Sequence, residues 1–180
     1  MAINKFCSIC GAVTERIVPE GDERYRAVCT SCHTIHYENP KLVVGCLVTR
    51  NESILLCRRA IEPQKGKWTL PAGYLENHET AVQGALRETT EESGAEVSIP
   101  TPYRLFDLPH ISQLYLLFRA QLLACPFRPT RESLEVRLFH PKNIPWDALA
   151  FRVIAKTLEQ YVHDAAKGEF SFEHHVISRN

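Results

Sequence analysis

The sequence predicts an α/β fold in which a mixed sheet lies between helical layers, preceded by a small cysteine-rich β unit. Three observations carry that expectation. Four of the seven cysteines fall in two Cys-x2-Cys pairs within the first 32 residues. Two aliphatic, β-branched runs, LVVGCLVTR and SILLCRR, flank a short polar turn at Asn51-Glu52, the pattern of a β-hairpin. Two segments with helical spacing of apolar residues, about 78–93 and about 146–167, lie among and after further strand-like runs. The boundary is expected at Asn39-Pro40, giving units of 1–39 and 40–180.

In the first unit, Cys7-x2-Cys10 is followed after eighteen residues by Cys29-x2-Cys32. That spacing predicts two knuckles closing a four-thiolate structural Zn²⁺ site. So short a segment has too few large apolar residues to fold alone, and metal binding supplies the missing free energy. His33 and His36 are read as surface residues, because four thiolates already fill the coordination shell. Residues 1–40 carry Lys5, Arg16, Arg24 and Arg26 against Glu15, Glu20, Asp22, Glu23 and Glu38, a net charge of minus one. That is a poor phosphate-binding surface, so a scaffold or dimer contact is expected and nucleic-acid binding is not.

In the second unit, Cys46 and Cys57 sit inside the hairpin runs and are assigned to the core with Cys125. A Pro/Gly/Lys loop at 62–67 leads to WTLPAGY and then to a helix from about His78 to Ser93, with Asn77 as its expected N-cap. Val82, Ala85, Leu86 and Thr89 form the expected core stripe, with Glu88 and Glu92 on another side. Strands are expected at about 96–107, 113–123 and 134–140. A final helix is expected over 146–167, with Ala150, Ile154, Leu158 and Tyr161 inward.

Composition narrows the function classes. A hydrophobic content of 44% and a charged content of 23% are those of a folded, water-soluble chain. Lys plus Arg equals Asp plus Glu at 21 each, so no long-range field gathers nucleic acid or an anionic membrane. MAINKFCSICG has no signal-peptide core, no run reaches the roughly 18 apolar residues of a membrane span, and the cysteine usage fits a reducing compartment. A cytoplasmic location is expected.

The stretch RETTEESG places Glu88, Glu91 and Glu92 within about a turn and a half of the expected helix. Each like-charge neighbour pair costs roughly 0.2–0.5 kcal/mol, and Gly94 marks the helix end, where the macrodipole disfavours anions. Extended backwards, residues 73–95 read G-x5-E-x7-R-E-U-x-E-E-x-G-U, with Gly73, Glu79, Arg87, Glu88, Glu91, Glu92 and Gly94 in place. Seven such positions coincide by chance about once in 10⁸ trials. The segment resembles the Nudix box, with Thr89 where the motif expects a larger aliphatic residue. Such carboxylate crowding becomes favourable around a hard divalent cation.

The resemblance implies a Nudix α/β/α sandwich with Mg²⁺ or Mn²⁺ held by Glu88, Glu91, Glu92 and the Gly73 carbonyl, and Glu79 orienting Arg87. It implies hydrolysis of a nucleoside diphosphate linked to another moiety. The base is left open between a helix glutamate and one from RESLEVRLF, where Glu135 resembles a metal-binding glutamate of related pyrophosphatases and Glu132 is the alternative.

FCSICG, CTSCHTIHYENPKLVVGCLV, KWTLPAGYLE, RESLEVRLF and DALAF resemble the Nudix group of the plant plastid FAD pyrophosphohydrolase and its bacterial relatives. That group implies cleavage of FAD to FMN and AMP, with ADP-ribose or other dinucleotides as further substrates, and a homodimer. NADH pyrophosphatases also carry a four-cysteine site, but their SQPWPFP appears here as Ser112-Gln113-Leu114-Tyr115-Leu116-Leu117-Phe118, so NADH ranks second. Tyr74, Phe106 and Tyr115 are the candidate walls for a flat ring. A nucleotide-sensing regulator whose ribbon binds DNA is the non-enzymatic alternative; the intact box and acidic ribbon weigh against it.

Overall fold

The computed structural model describes residues 5–124 and 127–179, so the expectation for Cys125 lies outside the described residues. The chain divides into two compact units between Asn39 and Pro40. No helix among the described residues is long and apolar enough to cross a membrane.

The first unit is a three-stranded antiparallel sheet of β1 (Thr14–Ile17), β2 (Arg26–Cys29) and β3 (Ile35–His36), in that order. Its buried apolar side chains are Cys7, Pro19, Val28 and Cys29, while Phe6, Ile9, Val13, Tyr25 and Tyr37 are exposed. His33 is exposed, in a left-handed turn at φ 56°. His36 corrects the surface reading: pairing with Ala27 draws it into the sheet, half-buried, with its Nε2 shielded and unpartnered.

The second unit carries β4 (Lys41–Arg50), β5 (Ser53–Arg59), β6 (Trp68–Thr69), β7 (Ala72–Tyr74), α1 (Ala81–Ser93), β8 (Glu96–Val97), β9 (Thr101–Leu108), β10 (Gln113–Ala124), β11 (Ser133–Phe139), α2 (Arg152–Lys167) and β12 (Glu173–Val176). The strands form one mixed sheet with the path β11-β5-β4-β10-β9-β12, to which β6, β7 and β8 attach at β5, β4 and β10. Both faces of the central strands are buried, so the sequence reads as continuous apolar runs. On one face Val44, Cys46, Val48, Leu55 and Cys57 pack with Ala85 of α1. On the other Leu47, Ile54 and Leu56 pack with Val153, Ile154 and Leu158 of α2. The expected mixed sheet between helical layers is therefore found.

Three boundaries differ from expectation for identifiable reasons. The strand at 96–107 is interrupted between Val97 and Thr101, at Pro100, which has no N–H for a ladder. The helix at 146–167 begins only at Arg152, because Leu149 bridges to Trp68 and the Ala150 N–H donates to the Trp68 carbonyl at 2.8 Å. β12, which pairs parallel with β9, follows the last predicted element.

The sheet is split where the chemistry gathers. β4 and β5 pair only at Thr49–Ile54 and Arg50–Ser53; farther along, β7 takes the place beside β4 and β6 the place beside β5. The WTLPAGY segment fills that split and brings Gly73 alongside α1.

Candidate active site

α1 starts later than expected. Thr80, not Asn77, is the N-cap: its Oγ1 accepts from the Gln83 N–H at 3.2 Å while Gln83 Oε1 accepts from the Thr80 N–H at 2.8 Å. This reciprocal box satisfies two of the donors that a helix start leaves open. Residues 76–79 instead fold as a loop in which Glu79 Oε1 accepts the Glu76 N–H at 2.7 Å and His78 is left-handed at φ 69°. At the other end Gly94, at φ 64°, donates to the Thr90 carbonyl and stops the helix. No basic residue sits in the last turn to offset Glu91 and Glu92.

Arg87 ties the loop to the helix. Its Nε and Nη2 donate to the two oxygens of Glu79 at 3.0 and 2.7 Å, Nη2 also to the Tyr74 carbonyl at 3.1 Å, and Nη1 to Glu88 and Glu91 at 2.7 and 2.9 Å. The rigid guanidinium fork is thus committed within the protein. The Arg87 guanidinium, with the Glu76 N–H, pulls the Glu79 carboxyl down to about 2. Glu79 therefore stays an anion and holds Arg87 in one orientation.

Glu88 and Glu92 are buried, only 8% and 5% exposed, whereas Glu91 is exposed. The expectation that Glu88 and Glu92 lie apart from the core side is corrected here. Ala85 and Thr89 face the core and the partly buried Val82 packs against it, but Leu86 does not join the cluster, and the β7 segment covers both carboxylates. Thr89 is fully buried and its hydroxyl donates to the Ala85 carbonyl at 2.7 Å, so the departure from the motif leaves no unpaired group. Burial, reinforced by Glu88 and Glu132, pushes Glu92 up to about 8 against the opposing effect of the Ala72 N–H (3.3 Å) and Arg59. Glu88 is raised by burial too, against the pull of Arg87.

The sign of the resulting pH dependence follows. With a folded value near 8 above an ordinary one near 4.5, the folded chain holds more protons than the unfolded one across that window, and stability falls as pH rises through it. Between pH 6 and 8 the loss is about 2 kcal/mol, or about 5 °C in Tm. Thermal unfolding without added divalent metal is expected to show this drop, and Mg²⁺ to reverse it at pH 8; a flat Tm would show that Glu92 is not desolvated.

Gly73 is fixed by sterics. A Cβ there would run into the Glu88 carboxylate, so glycine lets the strand pass with that carboxylate left in place. Gly73→Ala must displace Glu88. Turnover is expected to fall about 10²-fold, the scale of a 1 Å misplacement, without loss of the fold by circular dichroism.

These groups border a cavity of about 780 Å³, within the usual range for small-molecule sites. Gly73, Tyr74, Glu88, Glu92, Tyr115 and Glu132 all line it. Phe106 does not. It pairs with Tyr115 in the ladder, but it is 1% exposed and covered by the His175 ring at 5.6 Å between centroids. Glu135 is also absent from the wall. It sits opposite Arg58, held by Arg137 and by Arg58 at 3.9 Å, while Ser133 sits opposite Arg59. Adjacent strand residues face opposite sides, so the side that turns Arg59 inward turns Arg58 and Glu135 away. Glu132 reaches the cavity from a loop in which the Thr130 hydroxyl donates to the Glu92 carbonyl at 3.3 Å. Sequence reasoning missed Arg59, Phe151 and the Ile177–Arg179 segment on the wall; an arginine or isoleucine at a strand end carries no motif.

The donor set fits a hard divalent cation. The buried Glu88 and Glu92 carboxylates line one cavity beside a backbone cradle that a Cβ would fill. The exposed Glu91 meets Glu88 at Arg87 Nη1 and is not on the cavity wall. Burial raises Glu88 and Glu92, so a divalent cation would offset the desolvated charge. In the first unit the four cysteine Sγ atoms lie within 4.8 Å of one another. Cys7–Cys32, Cys10–Cys29 and Cys10–Cys32 are 3.6, 3.4 and 3.5 Å apart, near the edge of about 3.8 Å for a tetrahedron of 2.3 Å Zn–S bonds. Backbone N–H groups of Ile9, Ser31 and Cys32 point at Cys7 and Cys29. The Thr34 hydroxyl at 3.1 Å, with the Thr34 N–H, lowers the Cys32 thiol to about 6. Cys29 is lowered as well by the Cys32 and Ser31 N–H groups, whereas Cys10 is pushed up by the neighbouring Cys29 and Cys32 sulfurs; the four-sulfur geometry fits a structural zinc.

Comparison with known proteins gives the same two parts. The Nudix N-terminal zinc ribbon matches residues 5–38, and the NUDIX domain matches residues 39–160. A NUDIX hydrolase from Nitrosomonas europaea, known from its crystal structure, is 52% identical with a TM-score of 0.94, over 97% of this chain and 99% of that one. The NAD-capped RNA hydrolase NudC of Stutzerimonas stutzeri is 32% identical over 148 residues, 79% of this chain and 50% of that protein. The ADP-ribose pyrophosphatase of Methanocaldococcus jannaschii is 24% identical over 61% of this chain and 67% of that protein. The chain thus spans about half the length of the NudC relative. With the NUDIX domain matching most of its length behind a four-cysteine ribbon, the chain belongs to the Nudix hydrolase family.

Proposed function

We propose that the chain is a metal-dependent pyrophosphohydrolase that cleaves the diphosphate of a dinucleotide, with FAD, yielding FMN and AMP, as the preferred substrate. The observation that carries the reading is that Glu88, Glu92 and Glu132 line one cavity together with Tyr74 and Tyr115. Carboxylates and aromatic surface lining the same cavity suit a diphosphate flanked by rings.

In this reading Glu88, Glu91 and Glu92 with the Gly73 carbonyl hold Mg²⁺ or Mn²⁺, which supplies neutralisation of the diphosphate charge and acidification of a water when bound. Arg87 acts through its neighbours, fixing Glu88 and Glu91 against the Tyr74 carbonyl. Glu132 is the better-placed base for the attacking water than Glu135, because it lines the cavity and its loop is tied to α1. Once the water has given up its proton it attacks one phosphorus in line, and the other nucleotide leaves with the bridging oxygen. Zinc in the ribbon is structural. We place the protein in the cytoplasm, where the four thiolates stay reduced, and read it as a homodimer by its resemblance, which light scattering at twice 20.5 kDa would support.

A second reading has NAD-capped RNA or ADP-ribose as substrate, which the names of the relatives favour, or NADH, which the four-cysteine resemblance suggests. A steady-state panel of FAD, NADH, ADP-ribose and NAD-capped RNA with Mg²⁺ or Mn²⁺ decides. FMN release with the highest kcat/KM supports the first reading. A preference for NAD-capped RNA replaces it, and no turnover of any diphosphate together with tight DNA binding returns the chain to a sensing role.

A further inference from the structure

We propose that the segment following α2, through Ile177 and Arg179, is a specificity-determining wall that contacts the half of the substrate lying beyond the diphosphate on the sheet-edge side. The inference rests on the dinucleotide reading and assigns residues outside the Nudix box.

The segment is built into the site. β12 adds to β9 in parallel register, Glu173 to Arg104 through Val176 to Asp107, and the Ile177 N–H donates to the Asp107 carbonyl at 2.9 Å. Ile177 is 7% exposed and belongs to the same apolar cluster as Leu108 and Val153. From this anchored position Ile177, Ser178 and Arg179 line the same cavity as Glu88 and Glu92.

Its anchoring is specific. Arg104 is 1% exposed; it donates to Asp164 at 2.6 Å, to Gln160 at 2.9 Å and to the Ser171 carbonyl at 2.7 Å. His175 stacks on Phe106 and its Nε2 lies 2.8 Å from Gln160, while His174 lies 2.9 Å from Asp107. A buried arginine that bonds α2, β9 and the approach to β12 at once holds the wall in one place.

Distance sets what the wall can touch. β7, beside Glu88, pairs with β4, and between β4 and β12 lie β10 and β9. From β7 through β4, β10 and β9 to β12 there are four strand spacings, about 19 Å, too far for Arg179 or Ile177 to meet the scissile phosphates and on the scale of the far ring of an extended dinucleotide. The wall offers apolar surface from Ile177, Leu108 and Phe151 with the charged or polar ends of Arg179 and His110. That chemistry suits a flat ring with hydrogen-bond acceptors on its edge.

The test uses the full chain with Mg²⁺ and two substitutions, Arg179→Glu at an exposed position and Ile177→Ala in the apolar part. FAD and ADP-ribose are followed by turnover, FAD binding also by flavin fluorescence, and inorganic pyrophosphate serves as an inhibitor that contacts only the diphosphate site. The expected result is a rise of at least fivefold in KM or Kd for a dinucleotide, carried by KM more than kcat, with the pyrophosphate inhibition constant unmoved. Arg179→Glu leaves the fold intact, so the proposal stays falsifiable if Ile177→Ala unfolds. Dinucleotide constants equal to those of the parent chain overturn the wall and leave the hydrolase reading standing. Binding that responds to the substitutions without turnover overturns the hydrolase reading alone; failure to bind any of these ligands overturns both.

Discussion

Glu92→Gln is expected to lower turnover by about 10²–10³-fold and, at pH 8 without added metal, to raise the melting temperature. Both effects come from one carboxylate. Metal-assisted charge stabilisation is worth several kcal/mol, and each 1.36 kcal/mol is tenfold in rate, so removing an anionic ligand costs at least two orders of magnitude. The same group is 5% exposed and pushed up to about 8 by burial. Glutamine keeps its shape and an oxygen to accept the Ala72 N–H, without the desolvated charge. Glu91→Gln provides the contrast. Its side chain is 54% exposed and paired only with Arg87, and exposed pairs contribute about 0–1 kcal/mol, so turnover falls by orders of magnitude while the melting temperature hardly moves. Steady-state kinetics and thermal unfolding of the two variants read both effects. Unchanged kcat in either variant would count directly against the carboxylate cluster.

The spacing of Gly73, Glu79, Arg87, Glu88, Glu91 and Glu92 made the candidate site legible, because each position has its own steric or electrostatic demand that few residues meet. The apolar runs of β4 and β5 likewise revealed strands buried on both faces. What escaped depended on tertiary context. Asn77 and Thr80 are both good N-cap residues; the choice was made by Glu79, whose pairing with Arg87 keeps residues 76–79 out of the helix. Whether Glu132 or Glu135 faces the cavity depended on strand parity and on the irregular register between Ser133 and Glu135, which no composition reveals. Phe106 was a sound candidate by residue type, but it packs into the apolar cluster of Val153, Ile154 and Leu158, with His175 of β12 stacked beside it. Edge strands formed by residues distant in the chain have the weakest local signal, and that edge is where the cavity acquires its far wall.

The second large effect is expected in the ribbon. One zinc per chain should copurify, and stripping it with a strong chelator should unfold residues 5–38 as a unit. The unit nearly lacks a core. Apart from two cysteines, Pro19 and Val28 are the apolar side chains buried among the described residues of this unit, each worth at most about 1.5–3 kcal/mol, whereas ordering each residue costs at least about 1 kcal/mol in backbone entropy. The strand bonds do not close that gap, since each contributes about 1 kcal/mol net. Zinc binding to four thiolates contributes about 10–16 kcal/mol, which is the size of term required. Hydrogen exchange reads the outcome locally. The amides of Cys7, Thr14 and Cys29, bonded to Ala12, Lys5 and Thr34, should lose protection on chelation, while those of β4 and β10, in the centre of the large sheet, keep theirs. Cys29→Ser should reproduce the loss, because Cys29 is 1% exposed and a serine hydroxyl there is a poor zinc ligand with no room to turn to solvent. Less than one tightly bound zinc per chain, or unchanged ribbon protection after chelation, would mean that the four sulfurs are brought together by something other than a metal, and three short strands with their apolar side chains in water offer nothing else that could do it.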